Sequence, residues 1–432
     1  MRFEPIPPEE RVVIWLDGNA IEAKRGEPVA MSLWAAGRLI LSRSIKYHRP
    51  RGAYCFGAQC DGCLVRINGI PSQRSCRIKA EAGMEIETQN TLATALFDPL
   101  EAADWLFPDG LDHHRMFTWS KAANRGMQPV VRQLSGLGRL PEAPSSLLPS
   151  IEKDVDVLVI GAGPSGLACA KEASLSGLKV LCVEAEEEAG GRLRWSLDPN
   201  EQEQAKALSE EALRRGVELA CGWTVLGIYE EVDEGRIAIA STPQGIARIK
   251  AKVWVCAVGR IEGSALFEGS DAPGVISSEG AKRLLHHRIL PGRLVAIAGD
   301  LERRAGEMAA LKKHLEEKGA HVEGPFDLSA IKRARGRKRI KSIEVEASGQ
   351  RIPCDALILA PRLQVRHEIP SQLGFGFAFQ NGAFECIKRS PKACAELIGS
   401  AEGQCTPHEA LLRGLRAGQR IVKMFEKPQH IE

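Results

Sequence analysis

The chain has 432 residues, and its 58 lysine and arginine residues nearly balance its 55 aspartate and glutamate residues, for a formal net charge of +3. This balance gives no reason to expect a nucleic-acid partner, because binding a polyanion calls for a concentrated basic surface. No apolar run reaches the roughly 18 residues of a membrane-spanning helix, and the first residues do not resemble a secretory signal, so we expect a cytoplasmic protein with no direct membrane insertion.

The N-terminal 100 residues are predicted to form a small domain with a mixed sheet. Apolar residues alternate up to Leu16, Asp17-Gly18-Asn19 is typical of a hairpin turn, and Pro28 opens a stretch typical of a helix. A further strand follows Cys63 and carries a second turn at Asn68-Gly69. This order of elements predicts a β-grasp, ferredoxin-like domain over residues 1–100.

Four cysteines lie in this domain with a distinctive spacing. They follow the order C-x4-C-x2-C with a fourth cysteine after a gap, which is the thiolate spacing of a plant-type [2Fe–2S] loop; the candidate ligands are Cys55, Cys60, Cys63 and Cys76. The small residues Gly57, Ala58 and Gly62 are expected to let backbone amides donate hydrogen bonds to the sulfurs. The alternatives are a set of buried thiols without a metal and a zinc site, although zinc sites usually pair two short cysteine knuckles and this loop has one.

Residues 101–150 are predicted to be a connecting arm. They lack clear periodicity and contain five prolines. Their aromatic and histidine side chains suit either an interface with another chain or packing against this chain's own second half; they are Trp105, Phe107, His113, His114, Phe117 and Trp119.

A dinucleotide-binding fold is predicted from residue 151 onward. A buried strand runs into the motif G-x-G-x-x-G, formed by Gly161, Gly163 and Gly166, and a helix and a second strand ending at Glu184 follow. The first glycine allows the tight turn, the second lets a pyrophosphate approach the backbone, and the third allows close packing of helix on strand. The helix N-terminus supplies free amides, and the carboxylate of Glu184 is placed to bind ribose hydroxyls.

Later motifs resemble those of the two-dinucleotide-binding flavoproteins. They are Gly190-Gly191-Arg192, the strand ending in Val258-Gly259-Arg260, and Ala272-Pro273-Gly274-Val275. In that family the first fold binds FAD and an inserted second fold binds NAD(P)H. The resemblance implies an FAD-type domain over 151–263 and 364–432, an inserted fold over 264–363, and a cofactor site formed by Gly161, Gly163, Pro164, Ser165, Gly166, Glu184, Ala185, Gly191, Arg192, Val225, Gly259 and Gly399.

Two departures from that pattern affect the cofactors. A glycine motif beginning at Gly299 would need glycines where Leu301 and Arg304 stand, so the second nucleotide site is expected to be lost. Ser400 follows Gly399 where the family usually has an aspartate that holds the flavin side of FAD. Ser400 cannot supply that carboxylate, so NAD and ATP are alternatives to FAD, which the family resemblance makes the expected occupant of the Gly161 site.

Nearly the whole chain resembles the alpha subunit of heterotetrameric sarcosine oxidase and its relatives, among them hydrogen cyanide synthase and the heteromeric proline, hydroxyproline and opine dehydrogenases. The segment 43–52 before the cysteines and the segment 131–138 in the arm add to the likeness. The resemblance implies a separate FAD-dependent beta subunit of the amino-acid-oxidase type, further small subunits, and FMN at a subunit interface. Sarcosine oxidase alpha continues into a folate-binding domain that this sequence does not include, so transfer of one-carbon units to folate is not expected. The complete cysteine set favours the dehydrogenase-type relatives.

The sequence thus predicts an α/β protein with an α+β N-terminal domain: a β-grasp [2Fe–2S] domain followed by a Rossmann-like flavoprotein module. Its predicted function is to relay electrons from a partner flavoprotein, which oxidises an amine or amino acid, through flavin and cluster to an external acceptor. No catalytic residue is assigned, because no histidine or carboxylate pair has a supporting context. The alternatives are a self-sufficient FAD-dependent NAD(P)H oxidoreductase and a structural scaffold with a non-redox nucleotide.

Overall fold

The computed structural model describes residues 1–45, 47–91, 94–106, 120–134, 149–231, 235–346, 349–388 and 394–426. The chain divides into two compact units, each built from two separate stretches of sequence. The first unit comprises Met1–Pro144 and Ser264–Pro361, and the second comprises Ser145–Gly263 and Arg362–Glu432. The inserted segment is therefore grouped with the N-terminal domain. Within the described ranges, no helix is long and apolar enough to cross a membrane.

The first unit begins with a five-stranded mixed sheet and a short helix. The elements are β1 (Arg11–Leu16), β2 (Asn19–Lys24), α1 (Val29–Ala35), β3 (Ser42–Arg43), β4 (Pro50–Arg51), β5 (Leu64–Ile67), β6 (Ile70–Arg74) and β7 (Glu85–Thr88). The sheet order is β2-β1-β7-β5-β6, with β1 parallel to β7. Both predicted turns are present, because Asp17-Gly18 and Asn68-Gly69 adopt the positive φ angles that two-residue hairpins need. The predicted β-grasp domain is confirmed.

The connecting arm is described only in part. A 3₁₀ turn (Pro99–Ala102) leads into α2 (Ala103–Leu106), and a longer helix, α3 (Lys121–Leu134), follows. The sequence did not predict α3. Trp105 is 79% exposed, whereas Phe107, His113, His114, Phe117 and Trp119 lie outside the described residues.

The second unit starts with the predicted strand, helix and strand. In chain order its first elements are β8 (Ser150–Ile160), α4 (Pro164–Leu175), β9 (Val180–Glu184), α5 (Pro199–Arg214), β10 (Glu218–Cys221), β11 (Thr224–Glu231), β12 (Gly235–Thr242), β13 (Gly245–Cys256) and β14 (Arg260–Glu262). Strands β8, β9 and β10 are parallel neighbours, as a doubly wound fold requires.

The inserted segment, Ser264–Pro361, belongs to the first unit. Its elements are β15 (Val275–Ser277), α6 (Ser278–His286), β16 (Leu294–Gly299), α7 (Leu301–Glu317), β17 (His321–Asp327), β18 (Ile331–Arg335), β19 (Ser342–Val345), β20 (Arg351–Pro353) and β21 (Ala356–Ala360). A parallel four-stranded sheet has the order β15-β21-β16-β17, and β18, β19 and β20 form a separate antiparallel sheet.

The last stretch completes the second unit. Its elements are β22 (Leu363–Val365), α8 (Glu368–Gln372), β23 (Gly376–Gln380), β24 (Ala383–Lys388), β25 (Ala395–Leu397) and α9 (Pro407–Glu426). The main sheet has the order β10-β9-β8-β13-β12-β11, and β25 pairs in parallel with β13. Helices α4 and α9 pack on one face around a common apolar core. The predicted Rossmann-like module is confirmed.

His287, directly after α6, makes the stability of the first unit depend on pH. Burial, with a smaller contribution from His286 and nearby arginines, lowers the pKa of its ring to about 3. The unfolded chain therefore binds a proton below about pH 6.5 that the folded chain does not, so stability falls as the pH drops through that value. Between pH 7 and pH 5, this effect should lower the free energy of unfolding of the wild-type protein by up to about 2 kcal/mol, and we expect His287→Gln not to show this decrease.

Urea titrations at the two pH values measure this effect. His321→Gln is the matched control, because the His321 ring is exposed on β17. An unchanged pH dependence in His287→Gln would contradict the assignment.

Candidate functional sites: a cysteine loop and a glycine turn

The four cysteines of the first unit form two pairs of neighbouring thiols. Cys55 donates a hydrogen bond to Cys60, and Cys76 donates one to Cys63. Cys60 is partly exposed, whereas the other three are buried. Two pairs suit two irons, each bound by two thiolates, better than one ion bound by four.

The backbone of the loop is shaped to donate hydrogen bonds to these sulfurs. Phe56 and Ala58 adopt positive φ angles, which are uncommon for residues that carry a Cβ. The amides of Gly57 and Gln59 donate to Cys55 Sγ at 3.4 and 3.2 Å. The amide of Ala58 donates to Cys76 and that of Gly62 to Cys60. The prediction that small residues bring amides to the sulfurs is confirmed.

These contacts also set the protonation of the thiols. The hydrogen bond from Cys55 lowers the pKa of Cys60 to about 6, despite burial, and the bond from Cys76 lowers the pKa of Cys63. The pKa values of the two donors are raised, first by the same hydrogen bonds and then by burial. Among the described residues, no group of three or more His, Cys, Asp or Glu side chains is arranged to hold a single metal ion. The two thiol pairs, each with one thiol of lowered pKa, fit a binuclear cluster with two thiolates for each iron.

In the second unit, the glycine motif forms the tight turn between β8 and α4. Gly161 has φ +104°, and a Cβ there would lie 2.5 Å from the carbonyl oxygen of Ala257 on the neighbouring chain segment. A Cβ at Gly166 would lie 1.9 Å from the Gly161 carbonyl oxygen. Both glycines are therefore required by the fold itself, because backbone atoms occupy the space that a side chain would need.

Gly163 differs from its two neighbours in the motif. It is the N-cap of α4 with φ −75°, and a Cβ there would meet nothing within 4 Å. Pro164 takes the first helical position, where its missing N–H costs no hydrogen bond. The structure alone thus gives no reason for glycine at 163. The open space lies at a helix N-terminus, where backbone amides and the helix dipole favour a phosphate group.

Glu184, the last residue of β9, lies beside the glycine turn. Its carboxylate accepts hydrogen bonds from the amides of Ala162 at 2.8 Å and Glu186 at 2.9 Å. Ala185 follows β9 directly, and the Trp223 amide donates to the Glu184 carbonyl oxygen at 2.9 Å. This contact brings the start of β11, with Val225 as its second residue, beside the end of β9.

Three further predicted glycines, Gly191, Gly399 and Gly259, lie close to the first turn of α4. Gly191 and Gly399 approach it directly, and Gly259 lies beside Ser400, which follows Gly399. A Cβ at Gly191 would lie 3.0 Å from Gly163 Cα, and Arg192 is exposed in the 3₁₀ turn that begins at Gly191 (Gly191–Trp195). A Cβ at Gly399 would lie 2.2 Å from Ser165 Oγ, and one at Gly259 would lie 3.6 Å from Ser400 Oγ. The structure thus brings the glycines of four sequence segments together at one helix N-terminus.

Arg260 holds the Gly399–Ser400 turn in place, a role that the sequence did not reveal. Arg260 as a whole is 6% exposed. It donates to the Ser400 carbonyl oxygen at 2.7 Å and to the Leu363 carbonyl oxygen at 3.1 Å. Both of its terminal nitrogens bind the Glu385 carboxylate. The only available sequence signal was its position directly after Gly259.

Removing the carboxylate of Glu385 is expected to destabilise the second unit. Glu385→Ala leaves the buried Arg260 charge without its counter-ion, which costs about 3–5 kcal/mol in comparable buried pairs. Glu396→Ala is the matched control, since its partner Arg420 is about half exposed, and an exposed pair contributes about 0–1 kcal/mol. Urea titrations give both values, and equal losses in the two variants would contradict the interpretation.

The inserted fold has the strand-turn-helix order of a second nucleotide site, with β16 followed by α7, but the side chain of Arg304 is buried at this turn. Arg304 stands where the third glycine of the motif would be and is 4% exposed. Its guanidinium donates to the Pro361 carbonyl oxygen at 2.8 Å and to Ser278 Oγ at 2.9 Å. Asp327, at the end of β17, accepts a hydrogen bond from the amide of Leu301. These contacts support the prediction that this fold does not bind a dinucleotide.

Both cofactor sites match known domain families. Residues 9–91 match a 2Fe-2S iron-sulfur cluster binding domain, and residues 156–197 match an FAD binding domain. The two matches support [2Fe–2S] and FAD as the cofactors of this chain, as predicted.

The chain is a relative of sarcosine oxidase alpha subunits. It is 30% identical over 388 residues to the sarcosine oxidase subunit alpha of Rhizobium meliloti, covering 80% of this chain and 39% of that protein. It is 35% identical over 79 residues to the hydrogen cyanide synthase subunit HcnA of Pseudomonas aeruginosa, covering 18% of this chain and 75% of that subunit. This chain thus spans about two fifths of the length of the Rhizobium relative.

Among solved structures, the L-proline dehydrogenase from P. horikoshii has the same fold. The two structures align with a TM-score of 0.76 at 22% identity, covering all of this chain and 76% of the other. The similarity extends over both units and supports the predicted fold class.

Proposed function

We propose that this chain is the electron-transfer subunit of a multi-subunit dehydrogenase or oxidase that acts on an amine or amino acid. The observation that carries the proposal is the combination, in one chain, of a paired cysteine loop and an open glycine turn. When bound, the cluster carries single electrons and FAD accepts them singly or in pairs. The chain's own residues bind these groups and shape their surroundings.

Each site residue has a proposed role. In the cluster, Cys55 with Cys60 and Cys63 with Cys76 are the ligands of one iron each. In the nucleotide site, Gly163 leaves room for the pyrophosphate beside the free backbone amides at the N-terminus of α4, where Pro164 takes the first position. Glu184 binds ribose hydroxyls. The other proposed contact residues are Gly161, Ser165, Gly166, Ala185, Gly191, Arg192, Val225, Gly259 and Gly399.

The amine-oxidising site is proposed to lie on a partner subunit. The alpha-subunit names of the relatives support a heteromeric assembly. The proposed partner is an FAD-dependent beta subunit of the amino-acid-oxidase type, with FMN at the interface, further small subunits, and an external electron acceptor. No catalytic acid or base is proposed on this chain.

Purification of the tagged chain from its native cells tests this function. A flavoprotein subunit is expected to co-purify, and anaerobic addition of sarcosine, proline, hydroxyproline or an opine is expected to produce the EPR signal of a reduced [2Fe–2S] cluster. A chain that purifies alone and shows no such signal after chemical reduction would contradict the proposal.

The alternatives have their own tests. A self-sufficient reductase would lose its flavin absorbance on anaerobic addition of NADH or NADPH, which the buried Arg304 leads us not to expect. A scaffold would contain zinc without acid-labile sulfide and would release NAD or ATP in place of FAD on denaturation. Metal analysis and mass spectrometry of the released molecules separate both from the proposed relay.

A further inference from the structure

Helix α6 of the inserted segment packs directly on the cysteine loop within the first unit. The Ser277 amide, at the N-cap of α6, donates to the carbonyl oxygen of Tyr54 at 3.1 Å. A Cβ at Gly280 would lie 2.6 Å from the same oxygen. Tyr54 immediately precedes Cys55, so the helix forms one wall of the loop that holds the sulfurs.

One side chain of this helix brings a charge to the loop. Arg283 is 8% exposed. A Cβ at Gly57 would lie 2.9 Å from its Cζ and Nη2 and 3.1 Å from its Nε, so the flat face of the guanidinium covers Gly57. The Gly57 amide is one of the donors to Cys55 Sγ. A positive charge, which an arginine does not lose at any ordinary pH, is thus held beside the cluster loop.

We propose that Arg283 raises the reduction potential of the [2Fe–2S] cluster. An oxidised cluster with four thiolates carries a net charge of about −2, and one added electron, which reduces one iron from ferric to ferrous, makes it about −3. A nearby buried positive charge stabilises the reduced form more than the oxidised form, because the interaction grows with the charge of the cluster. The inserted fold would thereby have exchanged nucleotide binding for control of the cluster.

This inference rests on the proposed relay function only in requiring that the four cysteines hold the cluster. The test is a redox titration of the purified full chain, with the cluster followed by EPR. Arg283→Gln is expected to lower the midpoint potential, and Arg283→Lys, which keeps the charge, is expected to remain closer to wild type. An unchanged potential in Arg283→Gln would overturn the inference while leaving the relay function standing.

Arg74→Gln is the matched control for loss of a positive charge. Arg74 lies near Cys63 and Cys76 but is exposed and paired with Asp61 at 2.9 Å, so its removal is expected to shift the potential less. An equal shift in the two variants would mean that the location of Arg283 has no special effect. If Arg283→Gln fails to retain its cluster, Gly57→Ala takes its place, because the added methyl group displaces the guanidinium from the loop.

With Gly57→Ala, a lowered potential supports the inference and an unchanged one overturns it. A wild-type chain without iron and sulfide would overturn the relay function and this inference together.

Discussion

Replacing Cys76 with serine is expected to abolish assembly of the [2Fe–2S] cluster while the first unit keeps its fold. Cys76 pairs with Cys63, so its loss leaves one iron with a single protein ligand. A serine hydroxyl fills nearly the same space but does not readily give up its proton, and iron–sulfur clusters are held by thiolates. Iron and acid-labile sulfide per chain, together with EPR after chemical reduction, measure the result.

The matched control is Cys354→Ala. This cysteine lies in the same unit, is 3% exposed, and packs in the apolar core of the inserted segment. We expect this variant to keep its full iron content, although loss of a buried sulfur lowers its stability by about 1 kcal/mol or more. Full iron content in Cys76→Ser, or zinc in the wild-type protein, would contradict the ligand assignment.

The parts of the structure that the sequence predicted best are those defined by neighbouring residues. The turns at Asp17-Gly18 and Asn68-Gly69 follow from residues that tolerate positive φ angles between alternating strands. The cysteine loop and the turn at Gly161 are likewise short segments whose spacing reflects local geometry. In each case the chemical information lies within one short, continuous stretch of sequence.

The contacts that the sequence did not predict join residues far apart in the chain. Nothing near Arg260 indicated that it would bind Ser400 and Glu385, and nothing near Gly57 indicated Arg283 as its neighbour. Likewise, no prediction was made for Gly414 and Gly418 on α9, whose missing side chains let that helix pack closely on Ser165 and Cys169 of α4. Such pairings depend on tertiary topology, which one sequence's periodicity does not encode.

Gly163→Ala is expected to prevent FAD binding without disturbing the fold. Its φ of −75° is accessible to any residue, and the added Cβ meets no protein atom within 4 Å. The stability of the nucleotide-free protein should therefore change by less than about 1 kcal/mol, because the poorer N-cap and the stiffer unfolded chain oppose each other. The methyl group would, however, stand where the pyrophosphate must approach the backbone. Flavin released on denaturation, measured per chain, should fall at least about tenfold.

Gly166→Ala provides the contrast, because the two glycines lie three residues apart in one motif and serve different purposes. The added Cβ would lie 1.9 Å from the Gly161 carbonyl oxygen, so helix α4 must move away from the strand, at a cost of about 3 kcal/mol or more. Urea titration of the nucleotide-free proteins separates the two effects. If Gly163→Ala kept its FAD, the open space beside α4 would not be the pyrophosphate site. If Gly163→Ala lost as much stability as Gly166→Ala, glycine at 163 would be required for folding. The open space beside Gly163 would then no longer support a ligand site.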